Sequence, residues 1–357
     1  MSKFRKIKVK DLYKETDDCS VITLDMPADL AEEYKFRQGQ HLIFRIMDNG
    51  EDIRRTYSLC SSPTENEWKV AVKRIPEGKF SSLVDTTLKA GDLLEVMAPS
   101  GTFGVDINPE KAKNYLFFAA GSGITPIISM IKTHLALEPK STCKLFYVNR
   151  TAKSIIFKEE LEQLRNKYFG RLEIYYFLTK ERRDIDLFNG RFDDEKMEVL
   201  TKTFIDIPDT SEVFLCGPET MINYVSNYLV NAGLPKDLIH YELFVTGLSE
   251  EDIKRMERLS QQNVEGVELT IIDGGKEFNF TMTNDFDNIL DAALAAGADL
   301  PFACKGGVCS TCKCQVVEGE VEMKINYALE DKEVAQNYVL SCQAVPTSEK
   351  VVVDFDV

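Results

Sequence analysis

One short segment limits what this chain can fold into more than any other: Cys304-x4-Cys309-x2-Cys312, with Cys342 following after twenty-nine intervening residues. Cys314 lies just past the cluster, while Cys19, Cys60, Cys143 and Cys216 are scattered singly. The basic residues at 3–10 are followed by no apolar stretch of the kind a secretory leader needs. Clustered cysteines in a reduced compartment argue for metal or cluster ligation over a disulfide framework.

The spacing is that of a plant-type [2Fe–2S] site. Two irons need four thiolates, three of them from one loop. Gly306 and Gly307 let the backbone approach and turn where a Cβ would clash. Inward-pointing backbone N–H groups of such a loop offset the charge of the cluster. A structural zinc is the rival, but zinc usually takes two short cysteine pairs set well apart. A disulfide is weaker still. Cys314 reads as a small core residue. PFACKGGVCSTC together with LSCQAVP resembles the plant-type ferredoxin domain at the C-terminus of oxygenase reductases, over about residues 266–357. That resemblance implies that Cys304, Cys309, Cys312 and Cys342 bind one [2Fe–2S] cluster. Ser310 stands where many relatives have Gly.

The length of 357 residues predicts two or three domains. A chain 44% hydrophobic and 28% charged is ordinary globular material. With 43 Lys+Arg against 58 Asp+Glu the net charge is −15, which repels a phosphate backbone, so no nucleic-acid partner is expected. The longest uncharged run, Tyr115 to Ile131, falls short of a membrane span and carries Gly121, Ser122, Gly123 and Pro126 in its middle. The expectation is a soluble, cytoplasmic protein with no membrane partner.

Residues 4–100 read as short strands separated by turns. Ile7 and Val9 alternate with lysines, and HLIFRIM (41–47) runs into Asn49-Gly50, a hairpin signal. Further strands at 53–60, 68–75 and 93–98, with one helix from Phe80 to Leu88, predict a small antiparallel barrel. From about residue 112 strands alternate with helices: YLFFAA, the loop GSGITP, the helix IISMIKTHL, then KLFYVN, FKEELEQLRNKY, LEIYYFL, a helix near 193–204, EVFLC and a helix ending at Gly233. That alternation predicts a doubly wound parallel sheet. Residues 247–266 are polar and read as a linker, helical in the first half. A hairpin over 267–282, a helix at NILDAALAAG and strands at 314–317, 338–341 and 350–355 predict a small α+β unit of the β-grasp type. The expected boundaries are 1–108, 109–245, a linker at 246–266, and 267–357.

Within the barrel, Arg55, Tyr57 and Ser58 supply a planar cation, a flat ring and a small hydrogen-bonding group. Gly78-Lys79-Phe80-Ser81 opens the barrel's helix, whose N–H groups suit a pyrophosphate; Ser81 would otherwise be a plain N-cap. Gly121-Ser122-Gly123-Ile124-Thr125-Pro126 follows the first parallel strand, with Pro suited to a helical first turn. Cys216-Gly217-Pro218-Glu219 ends the fourth, where an open sheet binds ligands, although a lone Cys216 also reads as a buried apolar residue.

In this order, these motifs resemble the ferredoxin–NADP reductase superfamily over residues 1–245. The resemblance implies an FAD-binding barrel followed by an NAD(P)-binding domain. It puts Arg55, Tyr57 and Ser58 on the flavin and Gly78 to Ser82, including Ser81, around its pyrophosphate. Gly121, Gly123, Thr125, Cys216, Gly217 and Pro218 would line the nicotinamide path, with Phe244 against the flavin. Hydride would pass near Ser58 and Cys216, the pair expected to act catalytically. Arg150, at the end of the second parallel strand, favours NADPH over NADH, with Arg182 and Arg183 as rivals. NAD(P)H gives up two electrons together and a [2Fe–2S] cluster accepts one, so a flavin has to stand between them. The implied acceptor is an oxygenase component, a diiron epoxygenase or similar. His41, His134 and His240 are isolated in sequence and read as surface or packing residues, and Cys60 as packing. Two other readings stay open: a non-enzymatic carrier or redox sensor, and a zinc-stabilised nucleotide-binding module.

Overall fold

The computed structural model describes residues 4–244, 250–261 and 266–356. Residues 4–53 and 57–244 form one compact unit, and residues 54–56 group with the linker helix and the residues after it in a second.

The first unit opens with β1 (Phe4–Thr16), β2 (Cys19–Asp25), β3 (His41–Asp48), β4 (Glu51–Ser58), β5 (Trp68–Lys73), α1 (Lys79–Thr86) and β6 (Leu93–Ser100). The strands lie in the order β4-β3-β6-β1-β2-β5. A bridge from Leu59, one residue past β4, to Val70 of β5 brings the two edges together, so the sheet closes into the expected barrel. Asn49-Gly50 turns the β3–β4 hairpin as the sequence predicts.

β2 reads CSVITLD and is buried on both faces up to its last residue. Ile22 and Leu24 point into the barrel core, whereas Cys19 and Val21 belong to a second core shared with the parallel sheet. The period of two along a strand divides the residues between two hydrophobic compartments.

That sheet comprises β7 (Asn114–Ala120), β8 (Thr142–Asn149), β9 (Leu172–Leu178), β10 (Glu212–Gly217) and β11 (Ile239–Leu243), with α2 (Ile124–Leu137), α3 (Lys158–Lys167), α4 (Asp194–Thr203) and α5 (Glu219–Asn231) between them. Its order is β11-β10-β7-β8-β9 and its ladders are parallel. The chain winds outward from β7 through β8 and β9, then crosses to β10. The switch point between β7 and β10 is where an open sheet of this kind leaves its crevice. The edge strand β11 is an element that the sequence reading does not anticipate.

In the second unit, α6 (Glu250–Gln261) covers more of the linker than the expected first half. The linker's residues 246–249 and 262–265 lie outside the described residues. There follow β12 (Val267–Asp273), β13 (Lys276–Met282), α7 (Ile289–Ala295), β14 (Lys313–Glu318), β15 (Val321–Met323), α8 (Asp331–Val334), β16 (Tyr338–Leu340), β17 (Ala344–Pro346) and β18 (Lys350–Asp354). A five-stranded sheet, β13-β12-β18-β14-β16, is parallel only at β12–β18, and α7 lies across it in the β-grasp manner. Asn288 caps α7 by accepting from the Asp291 N–H. Among the described residues, no helix is long and apolar enough to cross a membrane.

Candidate functional site

The cysteine loop occupies residues 303–312, between α7 and β14. Side-chain hydrogen bonds link Cys304 with Cys309 and Cys312 with Cys342, so the four thiols stand as two pairs. The Cys304 thiol is held down at about 6, chiefly by the Cys309 thiol and then by backbone N–H groups of residues 306, 308 and 309, while Cys309 is raised. Cys342 is likewise lowered by its partner Cys312, which is raised. The Gly306 N–H donates to Cys304 Sγ at 3.3 Å, and Gln343 Nε2 lies 3.6 Å from Cys342 Sγ. A second Gln343 hydrogen bond, to the Lys305 carbonyl at 2.9 Å, ties the Cys342 segment to the loop.

This arrangement separates the two metal readings. Among the described residues, no three His, Cys, Asp or Glu side chains converge on a point that could hold one metal ion. A tetrahedral zinc needs such a point, whereas a two-iron cluster needs two thiolates on each side of a sulfide-bridged core. Two pairs fit the cluster. The turns that the loop needs are also present: Lys305, Gly307 and Ser310 all have positive φ. Gly307 is required on two counts, since at φ +74° a Cβ would also meet the Ile325 carbonyl at 3.1 Å. Ser310, at φ 49°, explains why Gly is common at that position. Cys314 is fully buried in the core, as its sequence setting suggests.

On β4, Arg55 and Tyr57 lie two residues apart and so share one face of the strand. The Tyr57 ring packs 5.3 Å from Phe80, which α1 supplies, and 6.0 Å from Phe44. α1 begins at Lys79, so Gly78 is its N-cap and the expectation of Ser81 as N-cap is corrected. Ser81 is buried in the first turn, where its hydroxyl donates to the Gly78 carbonyl at 3.2 Å and accepts from the Ile75 N–H at 3.3 Å. The Ser82 N–H already donates to the Gly78 carbonyl. A permanent cation, an aromatic face and a helix start fit a flavin dinucleotide.

Ser58 is buried, and its hydroxyl lies 3.3 Å from Glu242 Oε2. Glu242 stands on β11 in register with Cys216 of β10. Burial pushes its carboxyl up to about 8, against which the Ser58 hydrogen bond pulls only partly. His41 Nδ1 is 3.9 Å from Glu242 Oε1, and burial lowers His41 to about 4. Both groups are therefore neutral at pH 7, and the contact is not an ion pair. A half-buried carboxyl held above the ordinary carboxylate range beside Ser58 is a group that the motifs do not single out. Its only sequence signal is an acid inside the apolar strand end YELF.

A cleft of about 560 Å³ lies at the carboxyl edge of the parallel sheet. Gly121, Gly123, Arg150, Gly217 and Pro218 line it, and so does Phe244, which the resemblance had put against the flavin. Thr125 and Cys216 do not: both are buried beneath it, with the Thr125 hydroxyl on the Ser122 carbonyl and the Cys216 thiol raised by burial. Gly123 packs the turn onto β10, where an added Cβ would fall 2.2 Å from the Cys216 carbonyl. Lys73 and Arg191 join Arg150 as lining cations, and no lining residue is acidic. Arg182 and Arg183 are not among the lining residues: Arg182 lies 3.5 Å from Asp186, and Arg183 donates to the Tyr176 carbonyl. Three cations over a glycine turn fit a pyrophosphate-bearing dinucleotide.

Two of the three histidines, isolated in sequence, meet a glutamate in space, His134 with Glu138 at 3.2 Å and His240 with Glu212 at 2.9 Å, while His41 Nε2 lies 3.1 Å from Ser100 Oγ. Cys60 is buried packing, with its thiol on the Lys69 carbonyl.

A pyridine nucleotide parts with electrons in pairs and a two-iron cluster takes them one at a time, so a chain that builds a site for each is an NAD(P)H-dependent electron-transfer reductase. Family models agree: an oxidoreductase FAD-binding domain matches residues 6–104, an oxidoreductase NAD-binding domain 117–227, and a 2Fe-2S iron-sulfur cluster binding domain 271–347. The chain is 42% identical to one of the subunits of the 1,2-phenylacetyl-CoA epoxidase of Escherichia coli (strain K12), over 100% of this chain and 99% of that one. It is 31% identical to the ferredoxin reductase component of 3-ketosteroid-9-alpha-monooxygenase from Rhodococcus rhodochrous, over 98% and 96%. It belongs to the reductase components of multicomponent oxygenases, the branch of the ferredoxin–NADP reductase superfamily with a C-terminal plant-type ferredoxin domain. Phthalate dioxygenase reductase shares the fold at 23% identity and a TM-score of 0.60, over 99% of this chain and 100% of that one. The chain also matches part of a longer protein, an intact type IV self-sufficient cytochrome P450 monooxygenase (26% identity, TM-score 0.71), covering 98% of this chain and 41% of the other.

Proposed function

We propose that this reductase draws on NADPH and supplies the oxygenase component of a phenylacetyl-CoA epoxygenase, a diiron enzyme, in phenylacetate catabolism in the cytoplasm. The observation that carries the choice of acceptor is the 42% identity to the Escherichia coli epoxidase component across essentially the whole of both chains. FAD in the barrel would take the electron pair of NADPH and release it singly to the cluster.

The chain's own groups divide as follows. Arg55, Tyr57 and Ser58 hold the flavin, and Gly78, Ser81 and Ser82 shape the turn at its pyrophosphate. Gly121, Gly123, Gly217 and Pro218 cradle the nicotinamide nucleotide, with Phe244 at the cleft wall and Arg150 toward its ribose. Thr125 acts through the turn, by fixing the Ser122 carbonyl, and does not touch ligand. Cys216 acts from below, as packing under Gly123 and beside Glu242. Ser58 and Glu242 hold a hydrogen bond at the strand end to which this reading assigns the flavin ring. Cys304, Cys309, Cys312 and Cys342 would hold the cluster, standing as the pairs Cys304–Cys309 and Cys312–Cys342. Domain limits at 108, 245 and 266 accompany this reading.

The test is reconstitution. Purified anaerobically, the protein should show both flavin and iron–sulfur absorption and reduce cytochrome c with NADPH. It should also support turnover of the diiron epoxygenase on phenylacetyl-CoA. Failure with that oxygenase but success with cytochrome c would keep the reductase and discard the acceptor. A colourless protein holding zinc would discard the electron relay altogether.

A further inference from the structure

α2 is apolar in composition, yet it buries three polar side chains on one face, Ser129, Lys132 and Thr133, at helical positions i, i+3 and i+4. All three reach the same short segment of the barrel. Ser129 Oγ donates to the Ser61 carbonyl at 2.6 Å, Lys132 Nζ donates to the Cys60 carbonyl at 3.2 Å, and Thr133 Oγ1 accepts from Ser62 Oγ at 2.9 Å. Thr133 is left to accept because its own proton goes to the Ser129 carbonyl at 2.6 Å. Lys132 is only 7% exposed at its side chain, and it also pairs with Glu65 of the barrel at 3.5 Å and with Glu160 of α3. The segment is locked on its barrel side as well: Ser61 Oγ donates to the Glu67 carbonyl at 2.6 Å, and the Cys60 N–H to the Lys69 carbonyl at 2.9 Å.

The two ends of this connection matter. α2 begins directly after the Gly121–Gly123 turn that lines the cleft, and the gripped segment begins two residues after Ser58. Most of the remaining barrel–sheet contact is apolar, with Cys19, Val21, Cys60 and Ala71 packed in one core with residues of α2 and β7, and its other polar links, Ser58 to Glu242 and Glu15 to the Phe157 N–H, do not involve α2. Apolar burial is non-directional, so it holds two layers together without fixing how far one slides over the other. Directional hydrogen bonds to three successive residues do fix it. A buried lysine is a poor way to gain stability, because an apolar side chain of similar volume is often neutral or better at such a site. Registry explains its presence where stability does not.

We propose that Lys132, supported by Ser129 and Thr133, is a positioning residue that sets the registry between the cleft turn and the Ser58 strand end. It thereby sets the distance over which hydride leaves the nicotinamide C4 for the flavin N5. This inference rests on the reading that the cleft takes the nicotinamide and the Ser58 strand the flavin.

The decisive variant is Lys132→Met in the flavin-loaded full chain, with Lys132→Arg as the conservative control. Lys132→Met should keep its FAD, hold Tm within about 4 °C, and bind NADP+ by calorimetry within about threefold of wild type. Its single-turnover flavin reduction should slow by about 10- to 100-fold. With NADPH deuterated at C4, its isotope effect should become strongly temperature-dependent, and the long-wavelength charge-transfer band of the nicotinamide–flavin complex should weaken. Lys132→Arg should recover most of both signatures. A wild-type isotope effect and charge-transfer band in Lys132→Met would overturn the proposal, as would a rate loss that merely follows a fallen Tm. Should Lys132→Met not fold, Ser129→Ala takes its place, with a smaller change in the same two signatures expected and wild-type values overturning the idea. If the underlying site reading is wrong, the wild type itself will show no charge-transfer band and no NADP+ binding.

Discussion

The cysteine loop and the Ser58–Glu242 pair are built on opposite principles. In the loop, three of the four reactive groups come from nine consecutive residues, and the fourth arrives on a neighbouring strand bound back by Gln343. The charge expected there is met locally, by backbone N–H groups and the paired thiols. Around Ser58, the groups come from β4, β10 and β11, the first of these far from the other two along the chain, and burial leaves them neutral instead of compensating them. A site assembled within one turn of chain is specified by spacing. A site assembled by strand order is specified by topology, and its key acid has no motif of its own.

The largest effect that would sharpen this contrast is expected at the local site. Cys342→Ser leaves one iron a ligand short. NADPH-driven cytochrome c reduction should fall by roughly 100-fold or more, and the iron content should drop, while ferricyanide reduction through the flavin persists. Loss of both activities together would mean that the two regions are not energetically separate.

Next comes Gly123→Ala, which drives a Cβ into the Cys216 carbonyl. We expect about 1–3 kcal/mol of lost stability from overpacking, read by denaturant unfolding, together with weaker NADP+ binding. An unaffected variant would show that the turn and β10 can separate, and that the assembled site is looser than the loop.

Arg150→Ala and Arg191→Ala remove the two guanidiniums that line the cleft. Each should reduce the ratio of kcat/KM for NADPH over NADH by roughly tenfold, the value of one charged hydrogen bond to the 2′-phosphate. If neither substitution changes the ratio, donor choice lies elsewhere in the cleft.

The smallest effect is a slope. Glu242 binds its proton more tightly when folded, at about 8 against an ordinary 4.5. Its contribution to stability is therefore fully present below about pH 4.5 and is lost as pH rises toward 8. Glu242→Gln should flatten the wild-type decline over that range and be relatively more stable at pH 9 than at pH 5, as measured by thermal unfolding. His41 has the opposite sense: its proton is held less tightly in the fold, so its effect appears as stability lost when pH falls from 6.5 toward 4. A wild-type slope retained in Glu242→Gln would remove the neutral acid from the assembled site.

These differences explain what could be read in the residues alone. The barrel, the alternating sheet and the hairpin of the third domain follow from hydrophobic periods and turn residues, which are local. The cysteine spacing likewise carried its own geometry. β11 is not legible in the residues because IHYEL is a short edge strand with half-exposed residues and a weak period. A serine beside a helix start is an N-cap by propensity, yet the chain begins the helix at Lys79 and puts Ser81 inside the first turn. Thr125 and Cys216 belong to the right motifs but point under the cleft rather than into it, and no motif records depth.

By itself, the sequence set out the order of the three modules and the spacing of the four cysteines proposed as cluster ligands, because period, turn chemistry and ligand spacing act over a few residues. Only the tertiary structure decided that the thiols stand as two pairs, that Glu242 meets Ser58, and that α2 grips residues 60–62. Those contacts depend on strand order and helix packing across long stretches of chain, where burial, not neighbouring sequence, sets both the charge state and the partner of each group.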